Sequence, residues 1–380
     1  MKLELEHWVK LIEEQMPSIR EEPGHFINNP LSALKLADWC ERFMTIVEKN
    51  KKENNGETRF AVFDLETTGL HSAEQFATGI GGITDIGASI IKNGQYLGNE
   101  VLEDGTQVTG DNPFEFDSLC NPGVQIPDNV VELTGITNEM VEAASPQKEV
   151  LSEFRDFVKG SILVGHNIGD DQFCTRGFDV KRVYGPIAEV QFGDSVDDIL
   201  ANSIDTLPLF TNLISGVSHT NEEFGKRLGV KLVGAHRAIP DVRVNAICFS
   251  KLLPILLETP VEELREHANK LLEKGEHIVT HIQVGANIID GELHQWGEFG
   301  IKLDPSHLKL KGRKRTIIVR YDFDADQFVF EETELKDRVI SPAELAEYLT
   351  PKDLERQSCI LRGVNSFESI LEDLKKPIEF

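Results

Sequence analysis

Apolar positions in the first 58 residues recur at helical spacing, with Trp8, Leu11 and Ile12 in one run and Leu31, Leu34, Ala37, Trp39, Phe43 and Ile46 in another. Pro17, Pro23-Gly24 and Pro30 interrupt the pattern, and the polar run from Lys49 to Glu57 closes it, which predicts a small helical N-terminal extension and a linker over residues 1–58. From Phe60 the period shortens. Phe60 to Leu65, Ile83 to Ile91 and Ser161 to Gly165 read as compact apolar strands, and Asn93-Gly94 supplies a two-residue turn into a further strand near Gln95. Helices are expected to open at Pro127-Asp128, over Pro146 to Val158 and over Pro240 to Leu253, so residues 59–255 read as an α/β domain of mixed strands and helices. Beyond Leu256 come a charged helix (Val261 to Lys274), an alternating run (His277 to Val284), a basic strand pair (Arg315 to Phe330) and helices from Pro342. These predict a C-terminal α+β domain over residues 256–380.

Composition narrows the function. The chain has 380 residues, with 39 Lys+Arg against 64 Asp+Glu and a formal charge of −25. Residues 59–255 hold 14 of the basic and 28 of the acidic residues, so no general phosphate-coating surface exists there and any nucleic-acid contact must be local. No apolar run approaches a membrane span and no apolar signal segment follows Met1, so the expectation is a soluble, cytoplasmic protein with no membrane role. Five scattered cysteines without a CxxC pair point to reduced thiols, not to a disulfide framework or a sulfur-held zinc.

Three short elements carry candidate chemistry. In Phe63-Asp-Leu-Glu-Thr-Thr-Gly-Leu70, Asp64 and Glu66 stand two apart at the end of a strand and therefore share a face. Buried like charges so close repel, and a divalent cation between them is the economical explanation; the alternative is a strand running into a polar loop. The strand Ile162 to Val164 leads into Gly165-His-Asn-Ile-Gly-Asp-Asp171, where helix capping by Asp170 is the plainer alternative. The third element, Gly234-Ala-His-Arg-Ala-Ile-Pro-Asp241, puts His236 in a loop and Asp241 in a first helical turn set by Pro240.

In combination these elements resemble the DEDDh group of 3′-to-5′ exonucleases, the family of the proofreading epsilon subunit of bacterial DNA polymerase III. The acid-x-Glu-Thr-Thr-Gly, His-Asn-x-x-x-Asp and His-x-x-x-x-Asp motifs fall in order, and Asn121-Pro-Gly123 through Glu132-Leu-Thr-Gly-Ile-Thr137 resembles the family's connecting segment. The resemblance covers about residues 59–255. It implies a ribonuclease H-like fold, a mixed five-stranded sheet flanked by helices, and two divalent ions, Mg²⁺ or Mn²⁺, held by Asp64, Glu66, Asp171 and Asp241. By the same resemblance His236 is the general base, and Thr67, Thr68, Gly69 and Leu70 form the turn that receives the terminal nucleotide. His166 and Asn167 shape the pocket floor, and Thr134 lies where the family often places a polar contact.

The implied activity is release of nucleoside 5′-monophosphates from single-stranded or frayed 3′ ends, DNA favoured over RNA, with a polymerase or repair complex as protein partner. A rival is a docking or assembly subunit whose own turnover matters little. Two departures from the family pattern bear on substrate fit: Asp170 stands where an aromatic residue usually precedes the second-motif Asp, and a Gly-rich loop (Gly79, Gly81, Gly82) and an acidic excursion (103–117) are inserted. Asp322-Phe-Asp-Ala-Asp326 resembles the start of a calcium loop but lacks its Gly and its final Glu, and is expected to be a hairpin turn. The cluster Lys309, Lys311, Arg313, Lys314, Arg315 and Arg320 could track a phosphate backbone, although a solvated hairpin is the commoner explanation.

Overall fold

The structure is a computed structural model. It describes residues 3–21, 25–28, 30–169, 178–214, 218–234 and 236–273, and beyond these the backbone of strands at 279–289, 292–301, 317–322, 327–330 and 339–340. The chain divides into two compact units, one of residues 1–18, 36–211 and 218–261, the other of residues 19–35, 212–217 and 262–380.

The first unit is built on strands β1 (Arg59–Thr67), β2 (Ile83–Lys92), β3 (Gln95–Tyr96), β4 (Glu115–Leu119), β5 (Ile162–Gly165) and β6 (Ser203–Asp205). They form one sheet in the order β3-β2-β1-β5-β6, with β4 also paired to β2. β1 runs antiparallel to β2 and parallel to β5, which is parallel to β6, so the sheet is mixed in the ribonuclease H-like manner. The Asn93-Gly94 turn expected between β2 and β3 is present, with both residues at positive φ (50° and 82°) as a tight hairpin of this kind requires. Parallel β1, β5 and β6 end on the same side of the sheet, which brings Glu66, Gly165 and Asp205 to one edge.

Alternation along β1 assigns its two faces. Ala61, Phe63 and Leu65 enter a core with Phe154 of helix α6 (Gln147–Phe157) and Tyr184; Phe63 and Phe154 lie 5.8 Å apart between ring centres. Phe60 points the other way and meets Phe249 of a long helix over Ala238–Leu256 edge-on at 5.6 Å, with Phe43 stacked alongside at 6.4 Å. Val62, Asp64 and Glu66 follow Phe60 on that face.

Residues 3–18 and 36–53, from the stretch expected as a helical extension and linker, pack on this second face. Trp8 in helix α1 (Leu5–Gln15) donates its indole N–H to Ile255 O at 2.9 Å, and Trp39 in α2 (Pro30–Glu53) donates to Asp205 O at 2.9 Å. Arg42 donates to the carbonyls of Ser203 and Leu200. Helical spacing reveals an apolar stripe but not which surface the stripe will meet, and here it meets the sheet.

The second unit carries an antiparallel sheet of β7 (Val279–Ile289), β8 (Glu292–Ile301), β9 (Ile317–Asp322), β10 (Gln327–Phe330) and β11 (Val339–Ile340), in the order β11-β10-β9-β8-β7. Asp322 pairs with Gln327, so the run once compared with a calcium loop joins two hairpin strands. Residues 323–326, the cluster from Lys309 to Arg315 and the helices expected from Pro342 lie outside the described residues. Among the described residues no single helix is long and apolar enough to cross a membrane.

Candidate metal centre and active site

Asp64 and Glu66 leave the same face of β1, opposite Gly87 and Asp85 of β2 in register. The helix over Ala238–Leu256 begins directly above them, and Gly87 is what allows it. A Cβ at Gly87 would stand 2.7 Å from Ile239 N and 2.8 Å from the Ala238 carbonyl carbon, distances no side chain could hold, so glycine lets the first helical turn lie on the sheet. That turn delivers Asp241. One carboxylate oxygen each of Asp64, Glu66 and Asp241 lie within 4.8 Å of one another. Asp241 Oδ2 accepts from the His236 backbone N–H at 2.9 Å, and its main-chain oxygen accepts from Asn221 Nδ2 at 2.8 Å.

Asp171 lies outside the described residues. The further carboxylate that the structure brings against this group is Asp179, which the sequence reading passed over. The chain leaves the sheet edge at Gly169 and is described again from Phe178, whose N–H donates to Asn167 O at 2.7 Å, while the Val180 and Lys181 N–H groups donate to Ile168 O. Phe178 and Asp179 therefore lie beside the turn His166-Asn167-Ile168 in space. Phe178, edge-on to Phe76 at 6.0 Å, supplies the aromatic residue before an Asp whose absence at position 170 had marked a departure. That dipeptide, eight residues downstream, was the available signal. Asp179 is 5% exposed, begins a π-helical turn (Asp179–Tyr184), and its Oδ2 has no hydrogen-bond partner among the described residues.

The electrostatics are those of crowded acids. Burial, then Asp179, Asp241, Glu66 and Asp85 in that order, push the Asp64 carboxyl well above its usual range. Burial pushes Glu66 up to about 8, with Asp241 and Asp85 adding to it and Arg237 opposing. Asp179 is raised by burial and by Asp205 and Glu66, and Asp241 by burial. An all-oxygen donor set with raised carboxyls and an orphaned buried oxygen has what a hard divalent cation satisfies, so the residues present fit such an ion.

The other expected positions surround this centre. Thr67 and Gly69 hydrogen-bond each other across the turn, Gly69 at φ 132°, and Leu70 is 87% exposed. Thr68 is tied to the Gly-rich loop, its N–H donating to Gly82 O at 2.9 Å and its hydroxyl accepting from Gly82 N at 3.1 Å. His166 is enclosed: Nε2 lies 2.7 Å from His219 O and Nδ1 3.0 Å from Thr206 Oγ1, and burial lowers its pKa to about 4, so it is neutral and donates through Nε2. The Asn167 N–H reaches Asp205 Oδ1, which also receives Leu207 N–H, so Asp205 shapes the turn after β5. Thr134 is buried, with its hydroxyl donating to Val130 O within helix α4 (Asp128–Thr134). His236 is exposed, at φ 64°, five residues before Asp241. In the acidic excursion, Gln107 and Glu115 bind Arg243, Glu115 Oε2 at 2.6 Å, which anchors the insertion to the helix that carries Asp241.

A ribonuclease H-like sheet with carboxylates gathered where a buried helix start meets the end of its central strand defines a nuclease-type domain. Residues 61–249 match the family model described as RNase_T, exonuclease. The DNA polymerase III PolC-type of Caldanaerobacter subterraneus subsp. tengcongensis is 29% identical over 225 residues, 59% of this chain and 14% of that protein. That of Thermotoga maritima is 30% identical over 211 residues, 56% of this chain and 13% of that protein. The chain thus spans about one-seventh of the length of these curated relatives. Among solved structures, cell-death related nuclease 4 (CRN-4) matches with a TM-score of 0.36 and 13% identity, over 52% of this chain and 64% of that one.

Proposed function

We propose that this chain is a divalent-metal-dependent 3′-to-5′ exonuclease that releases nucleoside 5′-monophosphates from single-stranded or frayed ends, DNA favoured over RNA. The observation that carries the reading is the gathering of Asp64, Glu66 and Asp241 within 4.8 Å, with buried Asp179 close enough to raise the Asp64 carboxyl. In this reading Asp179 fills the place that the sequence resemblance gave to Asp171. Two Mg²⁺ or Mn²⁺ ions held by Asp64, Glu66, Asp241 and Asp179 would neutralise charge at the scissile phosphate and acidify the attacking water.

The chain's own groups do the rest. His236, in solvent beside Asp241, takes the proton from the attacking water. The Thr67 to Leu70 turn receives the terminal nucleoside, Leu70 lying against its base, and His166, Asn167 and Thr134 hold the shape of the floor. Support for DNA over RNA and for a polymerase complex as partner comes from the relatives, which are named as DNA polymerase III of the PolC type. The test is digestion of matched 5′-labelled and 3′-labelled single strands of DNA and RNA with Mg²⁺ or Mn²⁺. A one-nucleotide ladder from the 5′ label and immediate release of mononucleotide from the 3′ label, faster for DNA, is expected. Internal cuts or attack from the 5′ end would refute the polarity, and faster RNA turnover would reverse the preference.

A further inference from the structure

Arg237 stands between the histidine and the helix that carry the chemistry, and no motif accounts for it. Its Nε donates to Asp85 Oδ2 at 2.9 Å, and the same oxygen lies 3.4 Å from the Ala238 N–H. Asp85 is fully buried and sits on β2 directly opposite Glu66. Its other oxygen has no hydrogen-bond partner among the described residues, and the Arg237 guanidinium is the cation that pairs with this carboxylate. One residue earlier, the His236 N–H is bound to Asp241 Oδ2 at 2.9 Å. Three successive residues are thus pinned alternately: His236 to the helix carboxylate, Arg237 and Ala238 to the strand. The same pinned segment has His236 at φ 64°, a left-handed conformation uncommon for a non-glycine residue.

We propose that the Asp85–Arg237 pair is a positioning device for the His236 loop, fixing the imidazole against the carboxylates from across the sheet. The inference rests on the exonuclease reading of the site. The pair joins β2, in register with Glu66, to the residue that follows His236, so it sets the distance between base and acids without touching a substrate. A buried aspartate also needs this cation in particular: with Arg237 removed, Asp85 would be an uncompensated charge and the loop would lose its reason to stay against the sheet. Arg suits the task because its planar fork fixes direction as well as distance.

The test uses the full chain with Arg237→Gln, Arg237→Lys, Asp85→Asn and the double variant Asp85→Asn/Arg237→Gln. The double variant guards against a fold lost merely to an unpaired buried charge. For cleavage of 5′-labelled single-stranded DNA with saturating Mn²⁺, kcat should drop by about 10²-fold, the scale of a misplaced catalytic group. KM should stay within about twofold, Arg237→Lys, which restores the charge but not the fork, should recover part of the rate, and the double variant should be no worse than the singles. In metal-free protein, the His236 and Ala238 amides should exchange about tenfold faster in Arg237→Gln, while amides in the middle of the long helix keep their rates. A folded Arg237→Gln with unchanged kcat, a change in KM alone, additive losses in the double variant, or unchanged exchange at His236 would each overturn the proposal. A wild-type chain that hydrolyses nothing would remove the exonuclease reading and the positioning role with it, whereas an active wild type beside an equally active Arg237→Gln removes the positioning role alone.

Discussion

Replacing Glu66 by Gln should stabilise the metal-free chain, and by an amount that grows with pH. The Glu66 carboxyl is pushed up to about 8 in the folded state, against 4.5 for an ordinary glutamate. Between those values the folded chain keeps a proton that the unfolded chain has released, so stability falls as pH rises through this window. At about 1.4 kcal/mol per pH unit, the loss reaches about 3 kcal/mol at pH 7 and about 4 kcal/mol at pH 8, where the folded carboxyl is itself half ionised, and it fades below pH 4.5 as both states become protonated. Asp64, Asp179 and Asp241 are raised as well and steepen the wild-type decline in the same direction. Gln matches the shape of a protonated Glu and cannot ionise, so it escapes the Glu66 share. For a unit of this size, 1 kcal/mol moves Tm by roughly 2–4 °C. Thermal melts in chelator should therefore separate Glu66→Gln from wild type by roughly 6–12 °C at pH 7, by more at pH 8, and hardly at all near pH 4.5. Added Mg²⁺ should reverse the order, raising the wild type through mass action and the variant little. If the two proteins melt together at pH 8 in chelator, the carboxylates are not crowded in the way the geometry requires.

Three further outcomes follow from the same site. Asp179→Asn should lower single-turnover cleavage by about 10³-fold or more while Asp171→Asn stays within a few-fold of wild type, because Asp179 is buried beside Asp64 and raises its carboxyl; the reverse ranking would restore the sequence-based assignment. His236→Ala should slow the chemical step by about 10²–10⁴-fold without changing Mg²⁺-induced stabilisation, and a variant within a few-fold of wild type would exclude His236 as the base. Gly87→Ala should cost about 1–3 kcal/mol and reduce cleavage further than that loss explains, since the new Cβ must displace the helix start that carries Asp241; unchanged melting and rate would show that the close approach is unimportant.

The placements legible in the sequence are those set by local geometry. Asp64 and Glu66 share a strand face because of a two-residue period, and Asp241 falls in a first helical turn because Pro240 sets it there; both placements are visible in a short window. The Asn93-Gly94 hairpin is legible for the same reason. Asp179 was not, because Asp171 stands at the family's interval and linear spacing gives no reason to look eight residues further. The backbone hydrogen bonds from Phe178, Val180 and Lys181 back to Asn167 and Ile168 are what bring Asp179 beside the turn after β5. The contacts of the N-terminal helices were hidden for another reason: the apolar stripes are legible, but Trp8 and Trp39 find partners at Ile255 and Asp205, some 247 and 166 residues away, and no local pattern encodes such a pairing. The role of Gly87 was equally hidden, since a glycine within a strand gives no sign that a helix rests on it.

Hydrolysis of a 5′-labelled single-stranded DNA by the purified chain, in parallel reactions with Mg²⁺, with chelator and with the Asp64→Ala variant in Mg²⁺, tests the central claim most directly. A stepwise ladder from the 3′ end in the first reaction, and intact strand in the other two, is the predicted result, because Asp64 lies at the centre of the carboxylate group and no neighbouring side chain can replace it. Equal degradation in chelator, or by Asp64→Ala, would contradict it.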